Sequence, residues 1–175
     1  SAKYILEKNY KSLCLSIIMS LKEYKKKRKF SGKKKTPEPK ETSKKIVKKI
    51  ISKGKKFVVH EHHASHLHWD LRLEMNGVLK SWAIPKTPPL AKNIKRLAIQ
   101  VEDHPLSYAK FQGIIPEGNY GAGEVKIWDN GEYELIEKSP KKILFELHGK
   151  KLKGKYCLIK TSYGGKKKGW LWFKV

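Results

Sequence analysis

The chain has 175 residues, which is enough for one domain with an appendage and a single hydrophobic core. Its two cysteines exclude a disulfide-stabilised scaffold and favour a reducing, cytoplasmic setting, and no apolar stretch is long enough to predict a membrane span. Forty lysine and arginine residues against 16 acidic residues give a formal net charge of +24.

The positive charge is concentrated at the two ends of the chain. Residues 1–56 hold 20 basic and 4 acidic side chains, and residues 147–175 hold nine lysines and no carboxylate. Residues 57–146 are nearly neutral, with 11 basic and 12 acidic groups. Enrichment for solubility or heat stability would spread lysines evenly. Charge in separate segments indicates a polyanionic partner instead, and nucleic acid is the commonest one.

Residues 1–56 are predicted to form a basic arm with short helices. The apolar stretch SLCLSIIMSL (residues 12–21) predicts one short helix. Isoleucine and valine at helical spacing among lysines predict a second one near residues 46–51. Between them, GKKKTPEPKE contains glycine and two prolines, which exclude regular structure there.

From Phe57 to Val175 the hydrophobic period is two, which predicts strands. Asn76-Gly77 predicts a type I′ hairpin, and Asp129-Asn130-Gly131 predicts another. Short strands and glycine-rich turns favour a mainly β fold, a compact antiparallel β-barrel whose core the five tryptophans help to fill. The predicted strands are FVVHEH, HLHWDLRLEM, VLKSWAI, RLAIQVED, GEVKIW, EYELIE, KILFELHG, KYCLIKTS and GWLWFKV.

Five of the seven histidines lie in one short stretch, HEHHASHLHWD, which begins at His60. Strand alternation places His68, Asp70 and Arg72 on one face, with neighbouring Cα atoms about 6.6 Å apart. Leucine and tryptophan side chains take the opposite face. His62, at the end of the preceding strand, is a candidate third ligand beside His68 and Asp70.

Two imidazoles and one carboxylate leave coordination positions open, which is typical of a catalytic metal site. Such nitrogen and oxygen ligands suit Mn²⁺, Fe²⁺ or Zn²⁺. Arg72, next on the same face, has the planar guanidinium that binds phosphate oxygens in pairs. The alternative is a histidine-rich surface ladder that holds no metal.

A second candidate segment is VEDHPLSYAKFQGIIPEGNYGAG (residues 101–123). His104 precedes a proline at a strand end, and Tyr108 follows four residues later; each is a weak signal alone. The glycine-rich part, with Tyr120, is interpreted as a tight connection between strands. Lys86 and Arg96 are further positive groups near strand ends, relevant only if the fold brings them toward Arg72.

These segments together resemble a known family. The stretch FVVHEHHASHLHWDLRLEMNGVLKSWAIPKTPP, the stretch VEDHPLSYAKFQGIIPEGNYGAGEVKIWD and the pair KRKF…TPEP are similar to the 3′-phosphoesterase domain of bacterial DNA ligase D and its freestanding homologues. The resemblance covers about residues 24–175. It implies a compact β-barrel that removes a 3′-terminal ribonucleoside and then the remaining 3′-phosphate, leaving a 3′-OH. Both steps would need a divalent metal, usually manganese, with zinc or cobalt as alternatives.

The resemblance also implies roles for individual residues. The metal ligands fall on His62, His68 and Asp70. The residues that contact the phosphate fall on Arg72, His104 and Tyr108. Lys86 and Arg96 match further basic positions around the phosphate. Arg28 and Glu38 match residues that serve chiefly the diesterase step. This chain departs from the family where it reads Arg28-Lys29-Phe30, because the family commonly has aspartate in the middle position. The departure, with the longer GKKK path to TPEP, affects the diesterase step more than the phosphatase step.

The expected function is therefore metal-dependent healing of DNA 3′ ends during repair by non-homologous end joining. The expected substrates are the 3′ ends of DNA or RNA/DNA primer-templates. A separate ATP-dependent DNA ligase, polymerase or Ku-like protein is a candidate partner. The alternative from another class is a non-catalytic nucleic-acid-binding β-barrel with a structural metal site.

Overall fold

The computed structural model describes residues 12, 15–29, 54–162 and 169–175. Residues 15–20 are helical, and helix α1 spans Lys22–Lys29. A 3₁₀ helix, Leu106–Lys110, separates the fourth strand from the fifth. The described residues form nine strands: β1 (Lys55–His63), β2 (Leu67–Met75), β3 (Val78–Ile84), β4 (Lys95–His104), β5 (Gly113–Ile115), β6 (Gly123–Lys138), β7 (Lys142–His148), β8 (Lys153–Lys160) and β9 (Gly169–Lys174).

Eight of these strands close into an antiparallel barrel. They pair in the order β1-β2-β3-β4-β9-β8-β7-β6, and β6 pairs back with β1. Strand β5 pairs with the first residues of β6. The predicted mainly β architecture, an antiparallel barrel with short N-terminal helices, is confirmed.

The interior of the barrel is an apolar core. Leu71 and Leu73 of β2 are 0% exposed, and burying a leucine side chain stabilises a fold by roughly 1.5–3 kcal/mol. The tryptophans contribute as predicted: Trp128 is partly buried against the core, and four lie within it, namely Trp69, Trp82, Trp170 and Trp172. The hairpin at Asn76-Gly77 is also confirmed, with φ values of 51° and 78°.

The predicted hairpin at Asp129-Asn130-Gly131 is wrong. These residues continue β6, a 16-residue strand that pairs with β1 on one side and β7 on the other. A type I′ turn needs positive φ, which neither Asn130 nor Gly131 has. The Asp129 carboxylate instead accepts hydrogen bonds from the backbone N–H groups of residues 130 and 150–152, so it caps the connection from β7 to β8.

The N-terminal helical segment packs against β4. Ile17 and Tyr24 are buried, the Ser20 hydroxyl donates to the Asp103 carboxylate, and Lys27 forms an ion pair with Glu102. The predicted first helix is thus present over residues 15–20, while the predicted helix near residues 46–51 lies outside the described residues. In the part of the chain that the structure describes, no helix has the length and apolarity to cross a membrane.

Candidate active site

The site is on the outer side of the barrel wall. Antiparallel register places His62 opposite His68, His60 opposite Asp70, and Arg72 opposite Ser81 of β3. Because side chains alternate along a strand, these groups share the face that points away from the core. They are nevertheless enclosed: Asp70 and Arg72 are only 5% and 4% exposed.

The enclosing elements form the walls of an open cleft of about 280 Å³. They are α1, β4, the 3₁₀ helix and the segment from β5 to β6. The predicted residues His62, His68, Asp70, Arg72, His104 and Tyr108 all line this cleft.

His62, His68 and Asp70 can hold a metal ion together. Each offers one ligand atom, and these atoms lie within 4.8 Å of one another. His62 Nδ1 lies 3.7 Å from Asp70 Oδ2, and His68 Nε2 lies 3.8 Å from Asp70 Oδ1. Two nitrogens and a carboxylate oxygen are a donor set that suits a divalent transition metal with open positions.

Backbone carbonyls orient both imidazoles for this purpose. His62 Nε2 donates to Gly121 O at 2.9 Å, and His68 Nδ1 donates to His66 O at 2.9 Å. In each ring the opposite nitrogen, His62 Nδ1 or His68 Nε2, faces Asp70. Metal-bound histidines are typically held by such a hydrogen bond on the far nitrogen. The residues present therefore fit a metal ligand set.

Arg72 is fixed by three side chains. Its Nη2 donates to Asp70 Oδ2 at 3.0 Å, Nη1 donates to Ser81 Oγ at 2.9 Å, and Nε donates to His60 Nδ1 at 3.2 Å. Its guanidinium carbon lies 5.0 Å from the centre of the Tyr108 ring. Three of its five N–H donors are used in this way, so the guanidinium is positioned beside the candidate metal ligands.

The electrostatics of the site depend on this arginine. Burial alone would raise the pKa of the Asp70 carboxyl, but the Arg72 charge, with His62 and His68, lowers it below its usual range. Burial, reinforced by the Arg72 charge, lowers the pKa of His60 to about 3. Asp70 is therefore ionised and His60 is neutral near pH 7, so His60 accepts from Arg72 without adding charge.

His104 and Tyr108 lie together on the side of the cleft formed by the end of β4 and the 3₁₀ helix. His104 Nδ1 donates to Glu102 O at 3.0 Å, which orients its ring. The His104 and Tyr108 rings lie 4.9 Å apart, and Tyr24 of α1 lies 4.8 Å from His104. Phe111 stacks on Tyr108 at 4.8 Å. Aromatic packing thus fixes both residues at the side of the cleft.

The other predicted site residues are not brought together in the same way. Neither Lys86 nor Arg96 is among the described residues that line the cleft. Lys86 is exposed, and Arg96 Nε donates to the Thr87 backbone carbonyl at 2.7 Å. The side chain of Arg28 and the whole of Glu38 lie outside the described residues. Their roles stay predictions.

Sequence reasoning missed several residues of the cleft. Tyr120 and Gly121 line it, although their segment was interpreted as a simple connection. Tyr24 and Lys27 reach it from α1, and Glu102 reaches it from β4. The alternation of β4 could have indicated Glu102, but nothing in the local pattern shows that α1 folds onto this face.

Comparisons with known proteins agree with this geometry. A family model described as the DNA Ligase D 3′-phosphoesterase domain matches residues 60–160, more than half of the chain. The matched range begins at His60 and includes the candidate metal ligands, Arg72, His104 and Tyr108.

Whole proteins with similar sequences carry related names. The multifunctional non-homologous end joining protein LigD of Pseudomonas aeruginosa is 46% identical over 161 residues, covering 89% of this chain and 18% of that protein. The LigD proteins of Mycobacterium bovis and Mycolicibacterium smegmatis are 48% and 45% identical, covering 73% and 78% of this chain. The chain spans less than a fifth of the length of these curated relatives. It belongs to the family of DNA ligase D 3′-phosphoesterase domains, which are hydrolases.

Proposed function

We propose that this protein heals DNA 3′ ends in two metal-dependent steps. In the first, water attacks the phosphodiester, the bond to the 5′ oxygen of a terminal ribonucleoside breaks, and a 3′-phosphate remains. In the second, water attacks that phosphate, the bond to the 3′ oxygen breaks, and inorganic phosphate and a 3′-OH are formed. The product is an end that a ligase or a polymerase can use.

One observation carries this proposal: a metal-ligand cluster and a fixed arginine share one enclosed cleft. The ligand atoms of His62, His68 and Asp70 lie within 4.8 Å of one another, and Arg72 contacts Asp70 directly. A protein that only binds nucleic acid has no need for an open-sided metal site beside a buried guanidinium. Phosphoester hydrolysis can use both, the metal as a Lewis acid and the arginine to stabilise negative charge.

The side chains divide the work as follows. Arg72 points a planar, permanently charged fork at the place where negative charge develops on the phosphate oxygens. His104, which lines the same cleft, would contact the same oxygens. Tyr108 packs against both and orients the phosphate by its hydroxyl. Because their neighbours hold them in place, little reorganisation is needed when the substrate arrives.

The cofactor is a divalent cation, with manganese favoured and zinc or cobalt as alternatives. His62, His68 and Asp70 would hold it. When bound, it supplies a Lewis acid that polarises a phosphoryl oxygen and helps to activate water.

The proposed setting is DNA repair by non-homologous end joining, because the similar proteins are named for that process. The lysine-rich ends of the chain would bind backbone phosphates without sequence preference. A separate ATP-dependent ligase, polymerase or Ku-like protein is a candidate partner. The cytoplasm is the proposed location.

Two 5′-labelled primer-templates test the proposal directly. One ends in a single ribonucleotide and the other in a 3′-phosphate, and each is incubated with the protein and Mn²⁺. We expect the first to be converted to the 3′-phosphate and then to the 3′-OH, and the second to the 3′-OH. Binding of both substrates without conversion of either would favour the alternative, a non-catalytic DNA-binding barrel with a structural metal.

A further inference from the structure

Tyr120 is the most exposed aromatic residue at the mouth of the cleft. Its side chain is 55% exposed, whereas Tyr24 and Tyr108 in the same cleft are each 4% exposed. An aromatic ring that folding could bury but leaves in water is a candidate binding surface.

Lys27 holds the ring at the mouth, and the backbone beside the ring is fixed as well. Lys27 Nζ lies 4.6 Å from the ring centre and 3.3 Å from the Tyr120 hydroxyl, while an ion pair of 2.7 Å with Glu102 fixes the same ammonium. The residue that follows is Gly121, whose backbone carbonyl accepts the hydrogen bond from His62. The Tyr120 side chain is therefore tied to α1 through Lys27, and the backbone beside it is bonded to a candidate metal ligand.

We infer that Tyr120 is the stacking platform for the base of the nucleoside whose 3′ oxygen carries the reacting phosphate. Every base has a flat face, so an aromatic platform binds without sequence preference. Lys27 covers the ring from one direction and strengthens it as a partner by cation–π attraction.

The position of Lys27 selects this nucleoside over the departing one. The primer side of the substrate continues into further phosphates, whereas a departing terminal nucleoside has none. An ammonium beside the platform therefore suits the strand that runs back along the primer. The inference rests on the proposed function and adds the residue that positions the primer end in both steps.

Fluorescence of 2-aminopurine tests the stacking without any turnover. The probe is a 3′-phosphate oligonucleotide with 2-aminopurine as its last base, preceded by an abasic site, titrated with the full chain in EDTA. We expect strong quenching with the wild-type protein and with Tyr120→Trp, and loss of most of it with Tyr120→Ala. Ile136→Ala, which alters an exposed residue of β6, is the matched control and should quench like wild type.

Steady-state kinetics provide the second readout. Tyr120→Ala should raise KM about ten-fold for both the ribonucleotide and the 3′-phosphate primer-templates, with a much smaller change in kcat, and Tyr120→Trp should restore KM. If Tyr120 were needed only for folding, Tyr120→Trp would restore neither the quenching nor KM.

A second probe carries 2-aminopurine as the base of a 3′-terminal ribonucleoside, the departing group. Three outcomes would overturn the inference: absence of quenching of the first probe by the wild-type protein, unchanged quenching by Tyr120→Ala, or quenching of the second probe alone. These outcomes are distinct from failure of the proposed function. Quenching by a protein that hydrolyses neither primer-template would support the stacking role of Tyr120 and contradict the proposed hydrolytic function.

Discussion

The backbone carbonyl of Gly121 lies 2.9 Å from His62 Nε2 and fixes the orientation of that imidazole. His62 belongs to β1 and Gly121 to the connection from β5 to β6, yet they meet at the cleft. Gly121 has a φ of +76°, and a Cβ atom built on it would lie 3.5 Å from His62 Cε1. A shift of the loop before β6 would therefore also move the His62 ring of the candidate metal cluster.

Gly121→Ala should weaken metal binding more than it weakens the fold. A side chain at positive φ costs about 1 kcal/mol of folding free energy, and the new methyl group contacts the His62 ring. Loss of the carbonyl's position should raise the Kd for Mn²⁺ about 10- to 100-fold, the usual effect of disturbing a ligand's outer partner. Calorimetric titration with Mn²⁺ measures this change.

Gly118→Ala is the matched control. Gly118 lies in the same loop with a φ of +81°, but a Cβ there has nothing within 4 Å. It should lower Tm about as much as Gly121→Ala while leaving the Mn²⁺ affinity near that of wild type. Equal effects of the two substitutions on the affinity would contradict the proposed role of Gly121.

Alanine at His62, His68 or Asp70 should each abolish both hydrolytic activities. Removing one of three protein ligands leaves a site that binds the cation weakly and holds it in the wrong place. The primer-template assay and Mn²⁺ titration measure activity and binding in parallel. His63→Ala is the control, because that ring is exposed and pairs with Glu61 instead. Full activity in any one of the three variants would remove that residue from the ligand set.

Arg72→Lys should lose activity although it keeps the charge. One ammonium cannot replace three nitrogens that contact Asp70, Ser81 and His60 at once. We expect at least a 100-fold loss of kcat/KM and a loss of about 1–3 kcal/mol of folding free energy, because buried polar groups lose partners. Ser81→Ala, which removes one partner, should cost less on both scales; a larger loss there would argue against Arg72 as the central residue.

Deleting residues 1–56 should weaken primer-template binding and make it less sensitive to salt. The deletion removes 20 basic and 4 acidic side chains, so fewer counterions are released on binding. It also removes Tyr24 and Lys27 from the cleft. Replacing Lys33, Lys34 and Lys35 with glutamine separates the two effects, since it lowers charge and leaves α1 intact. The salt slope should then fall by up to about three; an unchanged slope would show that this segment does not contact DNA.

Glu38→Ala should impair release of the ribonucleoside more than release of the phosphate. A diester must be positioned by its departing nucleoside as well as by its phosphate, and a segment outside the barrel can supply that positioning. The replacement of aspartate by Lys29 alters the same segment. Time courses on the two labelled primer-templates give both rates, and equal losses of the two steps would disprove this division.

The pattern within each strand predicted most of the barrel and the core of the site. Period-two alternation is a local property, so it placed His68, Asp70 and Arg72 on one face without knowledge of the partner strands. The prediction that failed concerned residues whose conformation depends on contacts with residues far away in the sequence. Asp129-Asn130-Gly131 has the composition of a turn, but the Asp129 carboxylate serves the backbone of residues 150–152.

The same limit explains the missed wall of the cleft. Tyr120 and Gly121 lie in a glycine-rich segment whose local signal is only that of a connection. Their importance arises from contacts with Lys27 and His62, which are 93 and 59 residues away in sequence. The sequence of α1, which carries Lys27, does not indicate the face of the barrel against which this helix packs.

Odd-numbered and even-numbered residues of β2 have different roles. Odd-numbered Trp69, Leu71 and Leu73 fill the barrel, and even-numbered Asp70 and Arg72 face the cleft. Apolar exchanges at odd positions should therefore change thermal stability while leaving the reaction intact. Polar exchanges at the even positions should change the reaction first, with an added cost in stability because Asp70 and Arg72 are buried. A one-residue insertion in β2 would exchange the two sets, so this strand can vary in composition but not in length.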